Sequence, residues 1–299
     1  MSLVINRNMM AMNATRNLND AYSRLATSTR RLSSGLRVGT AADDAAGLAI
    51  RELMRAEIAG YNQGVRNASD AISLIQTADG ALQVIDEKLI RMKELAEQAA
   101  TGTYNSDQRL MIESEYQAMA SEITRIANAT DFNGIHMLNG KLSSAVHNGS
   151  GLESTGSLKI HFGTGNDSAE DYYYINIGIA TASALGLGNQ SDIDRTEAGH
   201  AISTQEAAQR ALEAINLAII SKDKIRAALG ATQNRLENTI SNLQIMAENL
   251  QAAESRISDV DVATEMTEFV RNQVLTQAAV AMLAQANSLP QMALQLISG

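Results

Sequence analysis

Several residue types common in compact enzymes are scarce in this sequence of 299 residues, which has no cysteine, no tryptophan and one proline, Pro290. The absence of cysteine excludes disulfide scaffolds, thiolate metal sites and cysteine nucleophiles. Because there are only three phenylalanines and seven tyrosines, the 45% hydrophobic content is mostly Ala, Leu, Ile and Met. Ala, Leu and Met favour helices, and proline almost never interrupts them here, so the composition predicts long α-helices.

The charges are unevenly distributed along the chain. The formal net charge of -9 argues against nucleic acid as a partner. Residues 1–40 carry six arginines and one aspartate, whereas residues 254–299 carry five acidic residues and two arginines. The two ends either pair, within one chain or between chains, or the asymmetry belongs to two solvated faces. The first ten residues lack the apolar run of a Sec signal peptide, so secretion would need another route.

The first 40 residues show the spacing of a coiled coil. Gly35 and Gly39 interrupt this helix, and Thr40 with Asp43 reads as a capping box that starts the next one. The sequence therefore predicts a joint near residues 33–41. The residues in the 4-3 pattern are Leu18, Tyr22, Leu25, Thr29, Leu32 and Leu36.

A second, much longer 4-3 pattern follows the joint. It continues across a slip of one residue, and Asp79 within it is interpreted as a polar residue that sets the register. Gly102 is predicted to end this helix and Ser106 to cap the next. The long pattern comprises Met54, Ile58, Tyr61, Val65, Ala68, Ile72, Ile75, Asp79 and Leu82, then Ile85, Leu89 and Met92; the next helix carries Ile112, Tyr116, Met119, Ile123 and Ile126.

Residues 139–200 are rich in Gly, Ser, Asn and Asp, unlike the helical segments on either side. Two short β-like runs, 157–162 and 172–179, flank a segment with turn residues, so a β-hairpin is predicted. Helical periodicity returns after Ser203 and forms a third long pattern. Its members are Leu229, Leu236, Ile240, Leu243, Ala247, Leu250 and Ile257.

The last 28 residues, 272–299, contain no charged side chain. Interspersed Gln, Asn, Ser and Thr residues and Pro290 break every window long and apolar enough for a membrane span, so no span is predicted. Apolar residues nevertheless occupy several faces of this helix, which in a monomer would leave apolar surface exposed. The pattern therefore predicts assembly of the chain with copies of itself. The predicted polymerisation seam comprises Leu18, Leu25, Leu32, Leu36, Met266, Val270 and Val274.

The sequence offers no convincing constellation for catalysis. The four histidines lack the spacing of metal ligands, and the glycines near Gly163 are better explained by a turn than by a dinucleotide loop. Asp43 and Asp44 are adjacent on a helix start, where acids act as caps. We therefore predict no catalytic, cofactor-binding or metal-binding residues, no cofactor and no enzymatic activity.

Several segments at the two ends of the chain have recognisable sequences. They are Val4–Asn6, Arg31–Arg37, Ala42–Ile50, Thr130–Gly134 and Ser255–Met266. Together these segments resemble the bacterial flagellin family. Agreement over several residues at both ends is specific, and it covers roughly the first 140 and the last 100 residues.

This resemblance implies a mainly α, folded-back chain of long antiparallel helices with a small β-hairpin region. Residues 1–40 and 258–299 would form an inner coiled-coil tube domain, and residues 41–139 and 201–257 a helical rod domain. Residues 140–200 would form the hairpin or variable region of the rod domain, without a large outer domain.

The resemblance also implies a function and partners. The chain would be the secreted subunit of the extracellular flagellar filament, exported by the flagellar type III apparatus with an export chaperone, and would contact the cap and hook-junction proteins. The flagellin-sensing Toll-like receptor of animal hosts would recognise Arg91, Leu95 and Glu115, which otherwise read as an ordinary ion pair with a neighbouring apolar residue. Alternative interpretations are a hook–filament junction protein, a signalling coiled coil and, least of all, an enzyme.

Overall fold

The computed structural model describes residues 8–144, 147–148, 156–168, 170–188 and 199–298. These residues confirm the mainly helical fold with a small hairpin region. The chain divides into two compact units. Unit 1 contains Met1–Ile58 and Glu248–Gly299, and unit 2 contains Ala59–Ala247. No helix within the described ranges is both long and apolar enough to cross a membrane.

Five helices and four strands are present in the described ranges. The helices are α1 (Met9–Ser34), α2 (Ala45–Ala100), α3 (Ser106–Ala129), α4 (Gln205–Ser258) and α5 (Val262–Ser298). The strands are β1 (Asp131–Phe132), β2 (Ile135–His136), β3 (Leu158–His161) and β4 (Tyr172–Ile175), paired as two antiparallel hairpins.

The joint between α1 and α2 lies where it was predicted, but the predicted capping box is wrong. Helix α2 begins at Ala45, and Asp44 caps it, because its Oδ1 accepts a hydrogen bond from the Gly47 amide at 2.9 Å. Thr40 and Asp43 instead form a turn just before the helix begins, in which the Thr40 hydroxyl donates to Asp43 Oδ2 at 2.8 Å. This bond holds the pKa of Asp43 below its ordinary value, assisted by Arg30.

The predicted cap of α3 is also displaced by one residue. Asn105, not Ser106, is the N-cap: its Oδ1 accepts from the Gln108 amide at 2.8 Å, and the Gln108 side chain accepts from the Asn105 amide at 3.1 Å. This reciprocal arrangement satisfies two amide donors at the start of the helix.

The buried stripe of α2 does not contain the one-residue slip that the heptad pattern predicted. Ala71 and Ala78 are buried, whereas Ile72 and Asp79, which the pattern had included, lie beside the stripe. With the alanines counted, the stripe keeps an unbroken 3-4 spacing over 32 residues of the chain, numbers 68–99. Its members are Ala68, Ala71, Ile75, Ala78, Leu82, Ile85, Leu89, Met92, Ala96 and Ala99.

Ion pairs flank this stripe between α2 and α4 of unit 2. Asp79 accepts from Nε of Arg226 at 2.7 Å, and the buried Lys222 ammonium pairs with Asp86. The positions of the pairs show that the helices are antiparallel.

We expect the Asp79→Asn substitution to remove a stabilising contribution that depends on pH. The Arg226 hydrogen bond lowers the pKa of Asp79 in the folded chain, so the contribution is present above the unfolded-state pKa and is lost as pH falls through the folded pKa. Since both side chains are about one-third exposed, the expected loss at pH 7 is only about 1 kcal/mol.

Urea unfolding of both chains at pH 7 and at low pH measures this difference. The gap between the wild-type and Asp79→Asn chains should close in acid, and a gap of equal size at both pH values would contradict the assignment. Glu122→Gln is the matched control, because its Arg125 partner is an exposed neighbour on the same helix.

The β3–β4 hairpin confirms the predicted hairpin, and it lies against two glycines of α2. The Phe162 carbonyl oxygen would be 2.0 Å from a Cβ placed on Gly64, and the Thr164 methyl group 2.5 Å from one on Gly60. One turn further along α2, the side-chain amide of Asn67 donates to the His161 carbonyl at 2.8 Å. The two glycines therefore let the hairpin lie close to α2, and the Asn67 side chain holds it there.

The β1–β2 hairpin was not predicted, although its turn had a recognisable signal. Asn133 and Gly134 both have positive φ, 52° and 81°, which is what an Asn-Gly two-residue turn requires. Asp131 Oδ2 accepts from the Gly134 amide at 3.1 Å and fastens the turn.

Candidate assembly surface

Helices α1 and α5 pair in antiparallel orientation within unit 1. The residues buried most deeply in their interface are small or polar. Ala21 and Ser28 are the buried residues of α1. Half-buried Phe269, Ala279 and Leu283 complete the α5 stripe in a 4-3 pattern. Up to residue 288, the buried residues of α5 are Glu265, Asn272, Thr276 and Ala286.

The larger apolar side chains of the predicted seam lie partly inside this interface and partly outside it. Leu18, Leu25 and Leu32 are half-buried in the α1 stripe, in 3-4 spacing with Ala21 and Ser28, and Leu36 is half-buried in the joint. On α5, Met266, Val270 and Val274 are 44%, 49% and 58% exposed. Tyr22 and Thr29, which the 4-3 reading placed in the same seam, are exposed, because the α1 face against α5 is centred one residue earlier.

A groove of about 630 Å³ runs between the two helices. Its walls combine small and apolar side chains with polar and charged ones such as Asp20 and Arg24. The residues that form its floor and rims include Met10, Ala14, Asn17, Ala278, Ala279 and Met282.

The segments that join the helices of unit 1 bond to one another. Leu36 and Asp259 form an antiparallel bridge, and the Val260 amide donates to the Gly35 carbonyl at 3.0 Å. Gly35 has a φ of 72°, which a side chain would disfavour, and this lets α1 end sharply. Arg31 also lies 3.6 Å from Glu265, so part of the charge complementarity of the two ends acts within one chain.

The opposite end of the pair is held by Asn8. Its Oδ1 accepts from the Ala11 amide at 3.0 Å, which makes it the N-cap of α1, and its Nδ2 donates to the Ala286 carbonyl of α5 at 2.8 Å. This N-cap was not predicted from the sequence, although an asparagine directly before the first helical residue is a favourable N-cap.

The residues predicted for receptor recognition meet in unit 2. Nε and Nη2 of Arg91 both donate to Glu115 Oε1, at 2.9 and 2.8 Å, and these bonds raise the pKa of Arg91. Both side chains are nearly half exposed. Leu95, in contrast, is 1% exposed and packs in the hydrophobic core, so it supports the ion pair and offers no surface of its own.

Paired terminal helices that leave apolar side chains such as Val274 and Met282 exposed are typical of a protein that assembles with other chains. The family model "Bacterial flagellin N-terminal helical region" matches residues 5–143, and "Bacterial flagellin C-terminal helical region" matches residues 212–297. The chain belongs to the bacterial flagellin family, a family of structural proteins that form the flagellar filament.

Two relatives with known sequences match nearly the whole length of the chain. The flagellar filament 33 kDa core protein of Treponema phagedenis is 42% identical over 295 residues, 99% of this chain and 100% of that protein. The flagellin of Bacillus subtilis (strain 168) is 42% identical over 98% of this chain and 99% of its own. The crystal structure of Bacillus cereus flagellin is 28% identical, with a TM-score of 0.45, and covers 63% of this chain and 94% of that one.

Proposed function

We propose that copies of this chain polymerise by burying the outward apolar faces of α1 and α5 against neighbouring copies, as a structural subunit without catalytic turnover. The observation that supports this most is the division of side chains in unit 1. Small and polar residues, with half-buried leucines such as Leu25, form the intrachain interface, while valines and methionines of α5 such as Val274 and Met282 remain exposed. Exposed apolar surface of this kind is typical of an interface.

Burial against neighbouring copies would add to the stabilisation that the intrachain interface gives α1 and α5. Burial of apolar surface contributes about 25 cal/mol per Å². Side chains such as Val274 and Met282 leave such surface exposed in a single chain. We infer that Leu18, Leu25, Leu32, Leu36, Met266, Val270 and Val274 line this intersubunit seam.

The same proposal extends to the domains. Residues 1–40 with 258–299 would form the inner tube, residues 41–139 with 201–257 the rod, and residues 140–200 its hairpin region. The pairing of α1 with α5, and the seating of β3–β4 on α2, are consistent with this division.

Seeded polymerisation tests the proposal. Purified monomer is mixed with short filament fragments, and growth is followed by sedimentation and electron microscopy. Long uniform tubes that are lost when either terminal helix is trimmed support the proposed interface. Growth that stops at short caps or rings would instead favour a hook–filament junction protein.

The remaining partners belong to the same proposal. The filament lies outside the cell, and we infer that an export chaperone accompanies the subunit and that cap and hook-junction proteins flank the polymer. The uncharged, multi-faced apolar end of α5 supports a chaperone, because in the monomer it exposes residues such as Val280 and Met282. Chaperone protection is testable by adding a candidate chaperone and measuring suppression of seeded growth.

We also infer that the Arg91–Glu115 pair is read by the flagellin-sensing Toll-like receptor. The pair, in which two nitrogens of Arg91 donate to one oxygen of Glu115, presents both signs of charge beside Ile90, which is 50% exposed. Arg91→Ala should lower signalling in receptor-expressing reporter cells about tenfold or more, since truncating a central charged residue of an interface commonly costs above 1 kcal/mol. Arg125→Ala, which breaks a comparable surface pair on α3, is the matched control and should signal normally.

A further inference from the structure

The carbonyl oxygen of Ala286 lacks the partner that a helix normally provides. In an α-helix this oxygen would accept from the amide four residues later, and that residue is Pro290, which has no amide hydrogen. Helix α5 nevertheless continues through this point to Ser298. The only proline of the chain therefore creates one free acceptor inside a helix.

This free acceptor lies in the α1–α5 interface. Ala286 is 7% exposed, so water has limited access to the carbonyl, and a buried carbonyl without a donor is costly. The donor that reaches it is Nδ2 of Asn8 at 2.8 Å, from the start of α1. The partner that α5 lacks thus comes from the opposite end of the chain.

Only an asparagine fits both bonds at this position. Its Oδ1 accepts from the Ala11 amide while its Nδ2 donates to the Ala286 carbonyl, so one side-chain amide acts as an acceptor for α1 and as a donor for α5. An aspartate would cap α1 as well but would turn a second oxygen towards the Ala286 carbonyl. A serine or threonine has one short hydroxyl and cannot span both partners.

We propose that Asn8 and Pro290 together form a register lock that fixes the axial alignment of α1 on α5 and thereby positions the assembly surface. Hydrogen bonds between the segments that join the helices, such as the one from the Val260 amide to the Gly35 carbonyl, fix the alignment at one end of the helix pair. The bond from Asn8 to an acceptor that exists at one point of α5 fixes the alignment at the other end. The lock acts through the positions of other residues and is a positioning device, which rests on the proposed polymerisation.

A double-mutant cycle in the full-length chain tests the lock. Pro290→Ala restores the amide that the Ala286 carbonyl lacks, so Asn8 becomes dispensable as a donor while remaining a cap. Asn8→Ala should raise the critical concentration for seeded assembly about tenfold in the wild-type background and less than about threefold in the Pro290→Ala background. Equal fold-changes in the two backgrounds would overturn the proposal.

The control separates the lock from ordinary capping. Asn105 caps α3 with the same side chain and has no partner on another helix among its hydrogen bonds in the described residues. Asn105→Ala should therefore change the critical concentration by the same factor in both backgrounds. A background-dependent effect of Asn105→Ala would show that Pro290→Ala acts globally, and that would also overturn the proposal.

Hydrogen exchange of the unassembled chain gives a readout that does not depend on the filament. Asn8→Asp should preserve protection of the Ala11 and Met12 amides in the first turn of α1 but reduce protection of α5 around Ala286. If Asn8→Asp leaves α5 protection unchanged, the lock is wrong even where filaments form. If the wild-type chain forms no filament while the exchange result holds, the proposed polymerisation fails and the lock remains.

Discussion

The Val274→Asp chain is expected to fold normally and to form no filaments. Val274 is 58% exposed on α5, so an aspartate there removes few contacts within the chain. In a filament built on the proposed seam, the same carboxylate would be buried without a partner in a stretch that has no cation after Arg271. Burying an unpaired charge costs about 3 kcal/mol or more, which raises the critical concentration at least about a hundredfold.

Sedimentation after seeding measures this effect, and circular dichroism of the monomer reports folding. Val274→Thr is the matched control, because threonine has nearly the same shape and no charge; its filaments should form at a modestly higher concentration. Normal filaments from Val274→Asp would place the seam elsewhere. Loss of helicity in the monomer would show that Val274 acts within the chain.

Gly64→Ala should destabilise unit 2 by about 3 kcal/mol, although alanine is the better helix former. The added Cβ would meet the backbone of Phe162, with its carbonyl oxygen at 2.0 Å and its carbonyl carbon at 2.8 Å. Backbone cannot rotate away as a side chain can, so the β3–β4 hairpin must lift from α2. The Asn67–His161 hydrogen bond and the burial of Phe162, which is 3% exposed, would be lost with it.

Gly80→Ala provides the opposite expectation in the same helix. Nothing lies within 4 Å of a Cβ placed on Gly80, so this substitution should stabilise the chain by about 0.5–1 kcal/mol through helix propensity alone. Urea unfolding of the two variants beside the wild type measures both values. A Gly64→Ala chain as stable as Gly80→Ala would show that the hairpin does not rest on α2 as described.

Sequence periodicity predicted the helices well and their buried faces less well. The stripes of α1 and α2 were both placed one residue off at alternate positions, since Tyr22 and Ile72 appear more hydrophobic than Ala21 and Ala71. Close helix packing favours small residues at such positions, whereas hydropathy favours large ones. The apparent slip in α2 arose from this preference, and counting alanines as core residues removes it.

Features that depend on contacts between distant segments could not be predicted from local patterns. The glycines that seat the hairpin are ordinary glycines in sequence, and nothing near Gly64 indicates that Phe162 lies on it. The pairing of Asn8 with Ala286 joins residues 278 positions apart. The predicted receptor patch shows a mixed outcome. The ion pair of Arg91 with Glu115, expected from the family resemblance, is present. The burial of Leu95 depends on the packed core and could not be predicted from its neighbours in sequence.

The β3–β4 hairpin is held on the helices through its strands. Phe162 lies on Gly64, the Asn67 side chain donates to the His161 carbonyl, and the Arg235 guanidinium lies 3.4 Å from the centre of the Tyr173 ring. Within the turn, Asp171 accepts a hydrogen bond from the Asp167 amide at 2.7 Å. Doubling the length of a loop costs only about 0.6 kcal/mol in closure entropy. The apex of this turn is thus a natural insertion point, where foreign peptides or whole domains could be displayed without disturbing the helices beneath.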